Sequence, residues 1–150
     1  DADGSDDPDD TPRLLAAMAD GADLVLGIRT SQTIEPGAMT RTQRFGNWFA
    51  PLLMRAAVGA PYHDMPPFKV IRREALERLR LTDTGHGFTI ELLLCAHRQG
   101  LHVVEVPVRC RARSAGESKV SGTVMGSARA AVKILVTVAR HVLLARRQEP

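Results

Sequence analysis

Asp1 and Asp3 are two carboxylates separated by one residue in the stretch Asp1-Ala2-Asp3-Gly4. Two hard oxygen donors so placed can reach one divalent cation, directly or through water, and the cation can then neutralise a diphosphate. An acid-x-acid triplet is also a common solvated pair, and the residues alone leave both readings open. A calcium loop of the EF-hand type is excluded. It needs glycine at the sixth loop position and glutamate at the twelfth, where this chain has Asp6 and Pro12.

A second chemical signal lies near the other end. Arg109-Cys110-Arg111-Ala112-Arg113-Ser114-Ala115-Gly116-Glu117-Ser118-Lys119 sets four cations, small residues and hydroxyl donors on one irregular segment. Such a loop can wrap phosphate oxygens with charge-assisted hydrogen bonds. The competing readings are a solvated basic turn and a nucleic-acid contact. Nucleic acid is disfavoured because aromatic residues make up only 4% of the chain and none lies from residue 109 onward, which leaves nothing for bases to stack on.

Charge is distributed in the same sense. Residues 1–23 hold eight acids and one base, and residues 109–150 hold nine bases and two acids, although the net charge is only +3. The acidic end should seek a cation and the basic end a phosphate or an anionic surface. Cys95 and Cys110 have no His or Cys at metal-ligand spacing, which suits free thiols in a reducing compartment. The 150 residues, 44% hydrophobic, suffice for one folded domain and exclude a disordered tail or a disulfide scaffold.

The elements that must position these groups follow from periodicity. Asp9-Asp10-Thr11-Pro12 is a capped helix start running to about Ala19, and residues 23–28 are a short apolar run that reads as a buried, parallel strand. Residues 41–58 repeat apolar positions at helical spacing, with Pro51 expected to bend the helix. A strand at 68–71, helices at 73–79 and 88–99 and a strand at 103–108 come next, the second helix closed by Gly100. A final helix, 123 to about 146, carries Arg129, Lys133 and Arg140 on one stripe and Ile134, Leu135, Val138 and Val142 on another. That form fits a helix in a membrane interface or one packed on its own domain. Trp48 and Phe49, near Arg41, Arg44 and Arg55, pose the same choice; Phe49 suits a core, and Trp48 stays open. Glu91, on an otherwise apolar helix, must have a partner if buried, and Glu74 should cap or face solvent.

Taken in order, Asp1-Ala2-Asp3-Gly4, Asp23-Leu24-Val25-Leu26-Gly27-Ile28-Arg29 and Arg44-Phe45-Gly46-Asn47 resemble glycosyltransferase family 2. Asp64-Met65-Pro66-Pro67-Phe68-Lys69-Val70-Ile71-Arg72-Arg73-Glu74-Ala75-Leu76, Gly87-Phe88-Thr89-Ile90-Glu91, Glu105-Val106-Pro107-Val108 and Gly116-Glu117-Ser118-Lys119-Val120-Ser121-Gly122 are similar to its polyprenyl-phosphate branch, the dolichyl-phosphate mannose synthase-like enzymes. The resemblance implies an α/β, partial GT-A (Rossmann-like) fold with a mostly parallel sheet, flanking helices and a C-terminal amphipathic helix. It implies sugar transfer from a nucleotide sugar to a polyprenyl phosphate, inverting at C1. Asp1 and Asp3 would hold Mg²⁺ or Mn²⁺, Asp3 as the catalytic member, with Asp6 assisting. Arg29 and Arg44, or Arg41, would bind the acceptor phosphate, and Arg113, Ser118 and Lys119 would close over the phosphates.

The chain departs from the family pattern at Ile28, where many relatives have Ser, and at Pro66-Pro67, where Ser-Gly is usual. In the family the nucleotide-recognising half precedes the Asp-x-Asp. Residues 1–122 are therefore expected to be the C-terminal part of a GT-A domain, inactive alone, and 123–150 a basic helix on the cytoplasmic face of the membrane. Two alternatives remain: a family 2 enzyme with a soluble acceptor, and a non-enzymatic basic module for membranes or polyanions.

Overall fold

A computed structural model describes residues 3–85, 87–113 and 124–146. The apolar run before Arg29 is its central strand, β1 (Leu24–Ile28). It pairs in parallel with β3 (Val103–Pro107) and antiparallel with β2 (Lys69–Ile71), giving the order β2-β1-β3. Side chains alternate across a strand, so Leu24 and Leu26 enter one core and Val25 the other. Both faces of β1 are covered, which is why its sequence is a continuous apolar run rather than an alternating one. Gly27 is required there: a Cβ would lie 3.0 Å from a Val108 methyl and 3.1 Å from the Phe68 carbonyl oxygen.

Helix α1 (Thr11–Ala19) covers the Val25 face through Leu14. Its start differs from the sequence expectation in one respect. Asp7 caps a preceding 3-10 turn, Pro8–Asp10, whereas Asp10 makes no cap hydrogen bond to α1 and turns instead to Arg13 and Arg109.

Helix α2 (Arg41–Val58) opens with a reciprocal capping box between Thr40 and Gln43 and ends at Gly59 in the left-handed region, φ 74°. It continues through Pro51, which is buried. Helix α3 (Arg73–Leu79) and helix α4 (Phe88–Arg98) follow, and α4 lays Ile90, Leu92, Leu93 and Leu94 against Leu24 and Leu26. The whole is mixed α/β, a small sheet with flanking helices, consistent with part of a GT-A fold.

Helix α5 (Val124–Arg146) packs on α2 and α4. Val138 is buried and Ile134 and Val142 pack against the same core, so most of the expected apolar stripe belongs to the domain itself. Leu135 does not follow its stripe; it is exposed, together with Val132, Val136 and Leu143. Lys133 is bound to Asp83 at 2.6 Å, and the side chain of Arg129 lies outside the described residues.

Candidate functional site

The acidic end and the basic loop meet, as their charges require. Asp6 and Cys110 form an antiparallel bridge, and the Arg111 backbone N–H donates to the Ser5 carbonyl at 2.8 Å. Arg109, Arg111 and Arg113 alternate along the segment, and each finds an acid. Asp7, fully buried, takes the guanidinium groups of Arg109 (2.8 Å) and Arg111. Asp10 accepts from the Arg109 backbone N–H at 2.8 Å. Asp3 pairs with Arg113 Nε at 3.1 Å. A loop that reads as phosphate-seeking is, for Arg109 and Arg111, an internal clamp on Asp7.

Asp3 keeps its ionised form. The hydrogen bond from Ser5 lowers its pKa most, partial burial opposes, and the Arg113 charge adds to the lowering. It is therefore an anionic, hard oxygen donor, which suits Mg²⁺ or Mn²⁺. Its expected co-ligand Asp1 lies outside the described residues, as do Ser118 and Lys119. Among the described residues no three His, Cys, Asp or Glu side chains cluster as a metal site.

Arg29 leaves the end of β1 and is locked by Asp64. Nε donates to Oδ2 and an NH2 group to Oδ1, each at 2.9 Å, and the Arg29 backbone N–H donates to Oδ2 at the same distance. Burial works against the guanidinium charge, but the Asp64 carboxylate outweighs it and the arginine pKa rises. Arg29 and Arg44 line one cleft of about 390 Å³ with Asn47, Trp48, His63 and Asp64. The first turn of α2 brings Arg44 there, and the tight turn Thr30 to Thr33, where Thr33 Oγ1 accepts from the Thr30 backbone N–H at 2.9 Å, adds Ser31 to the lining.

In the sequence Asp64 and Lys69 stand out only as members of the family-like stretch 64–76, without roles of their own, and His63 does not stand out. Lys69 Nζ donates to the Pro67 carbonyl (3.2 Å) and to Thr89 Oγ1 (3.3 Å). Burial first, and then the Arg29 charge, lower its pKa while Asp6 opposes, so Lys69 belongs to the same electrostatic cluster. Glu91 has the partners its burial demands: the backbone N–H groups of Thr82 and Asp83, at 3.0 and 2.7 Å, and Thr82 Oγ1 at 2.7 Å.

Among the described residues no helix is long and apolar enough to cross a membrane. Phe45, Trp48 and Leu52 on α2 and Val132, Leu135, Val136 and Leu143 on α5 are large apolar side chains left in solvent.

Residues 1–80 match the family model described as glycosyl transferase family 2. An uncharacterized glycosyltransferase of Mycobacterium tuberculosis is 40% identical over 127 residues, covering 85% of this chain and 57% of its own length. The undecaprenyl-phosphate mannosyltransferase of Micrococcus luteus is 33% identical over 97% of this chain and 59% of its own. The polyprenol monophosphomannose synthase of Mycolicibacterium smegmatis is 36% identical over 82% of this chain and 48% of its own. The chain thus spans about half to three fifths of these relatives. More than half of its own residues match the family model, from the Asp-x-Asp through α3, and on that match the chain belongs to glycosyl transferase family 2.

Proposed function

We propose that the gene product carrying this chain transfers a sugar from a nucleotide sugar to a polyprenyl phosphate at the cytoplasmic face of a membrane, with inversion at the sugar C1. The observation that carries this reading is the cleft lined by Arg29, fixed by Asp64, and by Arg44; Ile34 in the same lining bridges to Cys110, itself bridged to Asp6 of the acidic end. Two of the relatives bear names that specify this acceptor chemistry.

A phosphate monoester is anionic near neutral pH, so its attack on C1 needs little help from a general base. It needs cations that hold two negative reactants together. In this reading Arg29 and Arg44 hold the acceptor phosphate, Arg29 pre-oriented by Asp64 so that little ordering remains on binding. Asp1 and Asp3 hold the metal ion, Mg²⁺ or Mn²⁺, which when bound stabilises the departing diphosphate. Asp3 is anchored by Ser5, and its partner Arg113 exchanges from Asp3 to phosphate, joined by Ser118 and Lys119. The exposed apolar side chains of α2 and α5, with Arg44, Arg55 and Arg140 nearby in sequence, supply peripheral contact with an anionic lipid surface.

A basic module that binds any polyanion is less well supported, because Arg109 and Arg111 are already neutralised by Asp7. The deciding assay incubates the complete gene product with a nucleotide sugar and a polyprenyl phosphate. Metal-dependent formation of the lipid-linked sugar, with inverted anomeric configuration by NMR, supports the reading. Turnover on soluble acceptors without lipid phosphate overturns it.

A further inference from the structure

His63 sits where Asp64 turns toward Arg29, and a carboxylate from another element holds it. Glu105, on β3, accepts the His63 backbone N–H through Oε1 at 2.8 Å and ring Nδ1 through Oε2 at 2.6 Å. With both carboxylate oxygens on one residue, the ring is fixed with Nδ1–H toward Glu105. Nε2 is then left 3.4 Å from an Arg55 NH2 group, at a ring that lines the same cleft as Arg29 and Arg44.

We infer that His63 is a further anion-binding residue of this cleft, taking up a proton from solvent at Nε2 when a phosphate group enters. The inference rests on the proposed acceptor site. Without an anion, Nε2 faces the Arg55 NH2 group at 3.4 Å. When an anion arrives, Nε2 gains a proton and donates to a phosphate oxygen, Nδ1–H stays on Glu105, and Arg55 is released toward the anion; no other bond changes. The charged groups that face the ring are consistent with this. Glu105 from β3 and Arg55 from α2 contact the ring, and Arg44 from α2 and Arg29, just after β1, line the same cleft. Asp64, the next residue, is committed to Arg29. Tyr62, on the other side, has its phenol pushed up to about 12 by burial and then by the Glu105 charge, so it remains neutral.

The test uses this chain and inorganic sulfate, whose charge is constant where imidazole titrates. Sulfate binding is followed by NMR at about pH 5.5 and about pH 8 in the original chain, His63→Gln and Arg44→Ala. Binding roughly 5-fold tighter at the lower pH is expected for one added charge-assisted hydrogen bond at an exposed ring. His63→Gln should bind like the original at high pH and lose the strengthening. At a pH between these two, sulfate should move the His63 ring nitrogens toward imidazolium shifts. PH-dependence that survives in His63→Gln, or cleft binding that Arg44→Ala removes but that is pH-independent in the original chain, overturns the role of His63 alone. Absence of sulfate from the cleft at both pH values overturns the acceptor site and His63 together.

Discussion

Arg29 and Asp64, 35 residues apart in the chain, meet in a two-armed ion pair with both arms at 2.9 Å. The side chains are 13% and 5% exposed, so neither charge can turn to water if the other is lost. Asp64→Ala should therefore cost about 3 to 5 kcal/mol of stability, the usual penalty for stranding a buried charge. Asp64→Asn, which keeps one carbonyl acceptor for the Arg29 donors but sets an NH2 group against the other, should cost less than Asp64→Ala and still be destabilising. Urea denaturation of both variants checks the order.

Gly87 leaves room for an ion pair between α5 and the loop before α4. A Cβ at residue 87 would collide with the Asp83 carboxylate and with Lys133 Cε. Gly87→Ala should break the Asp83–Lys133 contact and loosen α5, at about 1 kcal/mol because Lys133 is half exposed. A double-mutant cycle decides: Lys133→Met should cost less in the Gly87→Ala background than alone.

His141, on the inner side of α5, is buried, and its Nδ1 has no hydrogen-bond partner among the described residues. Burial first, then the Arg98 and Arg140 charges, push its pKa below the ordinary 6.5, with Glu91 opposing. The unfolded chain therefore binds this proton first as pH falls. Stability from the neutral ring is present above 6.5 and is lost as pH drops from there toward the folded-state value. Denaturant midpoints between about pH 7 and about pH 5 should fall in the original chain and fall less in His141→Phe.

Glu91 behaves in the opposite chemical sense with the same sign. Burial raises its pKa, but the hydrogen bonds from Asp83 and Thr82 outweigh burial and bring it below the ordinary 4.5. Its contribution is present above 4.5 and disappears as pH falls through the folded-state value. Glu91→Gln should be less stable at neutral pH and show a shallower acid transition by circular dichroism.

Trp48 is the only tryptophan and is 61% exposed, so intrinsic fluorescence reports on the α2 surface. Vesicles rich in anionic lipid should shift its emission to the blue, and neutral vesicles should do so much less. Equal shifts with both would remove the role assigned to Arg44, Arg55 and Arg140.

Much of this architecture is legible in the residues because its causes are local. Thr40, Gln43 and Gly59 delimit α2 through caps made within a few residues, and Gly100 closes α4 in the left-handed region. Arg29 and Arg44 were legible as cations from the family-like stretches. What escaped was pairing across distance. Nothing in a strand of three residues states that β2 joins β1 antiparallel, and nothing near Arg109 or Arg111 announces Asp7, about a hundred residues away. By composition the charged ends seek outside partners, yet Arg109, Arg111 and Arg113 of the loop are each paired with an acid of the other end. His63 and Glu105 are likewise joined only by the fold.

The strand order also has a consequence in time. During synthesis the ribosome releases β1 before either neighbour, and its parallel partner β3 is complete only at Pro107. At about 5 to 20 residues per second, the roughly 80 intervening residues keep one edge of an apolar strand unpaired for several seconds. The nascent chain needs shelter over that interval, and slowing translation between residues 28 and 107 should lower the yield of folded protein more than slowing it afterwards.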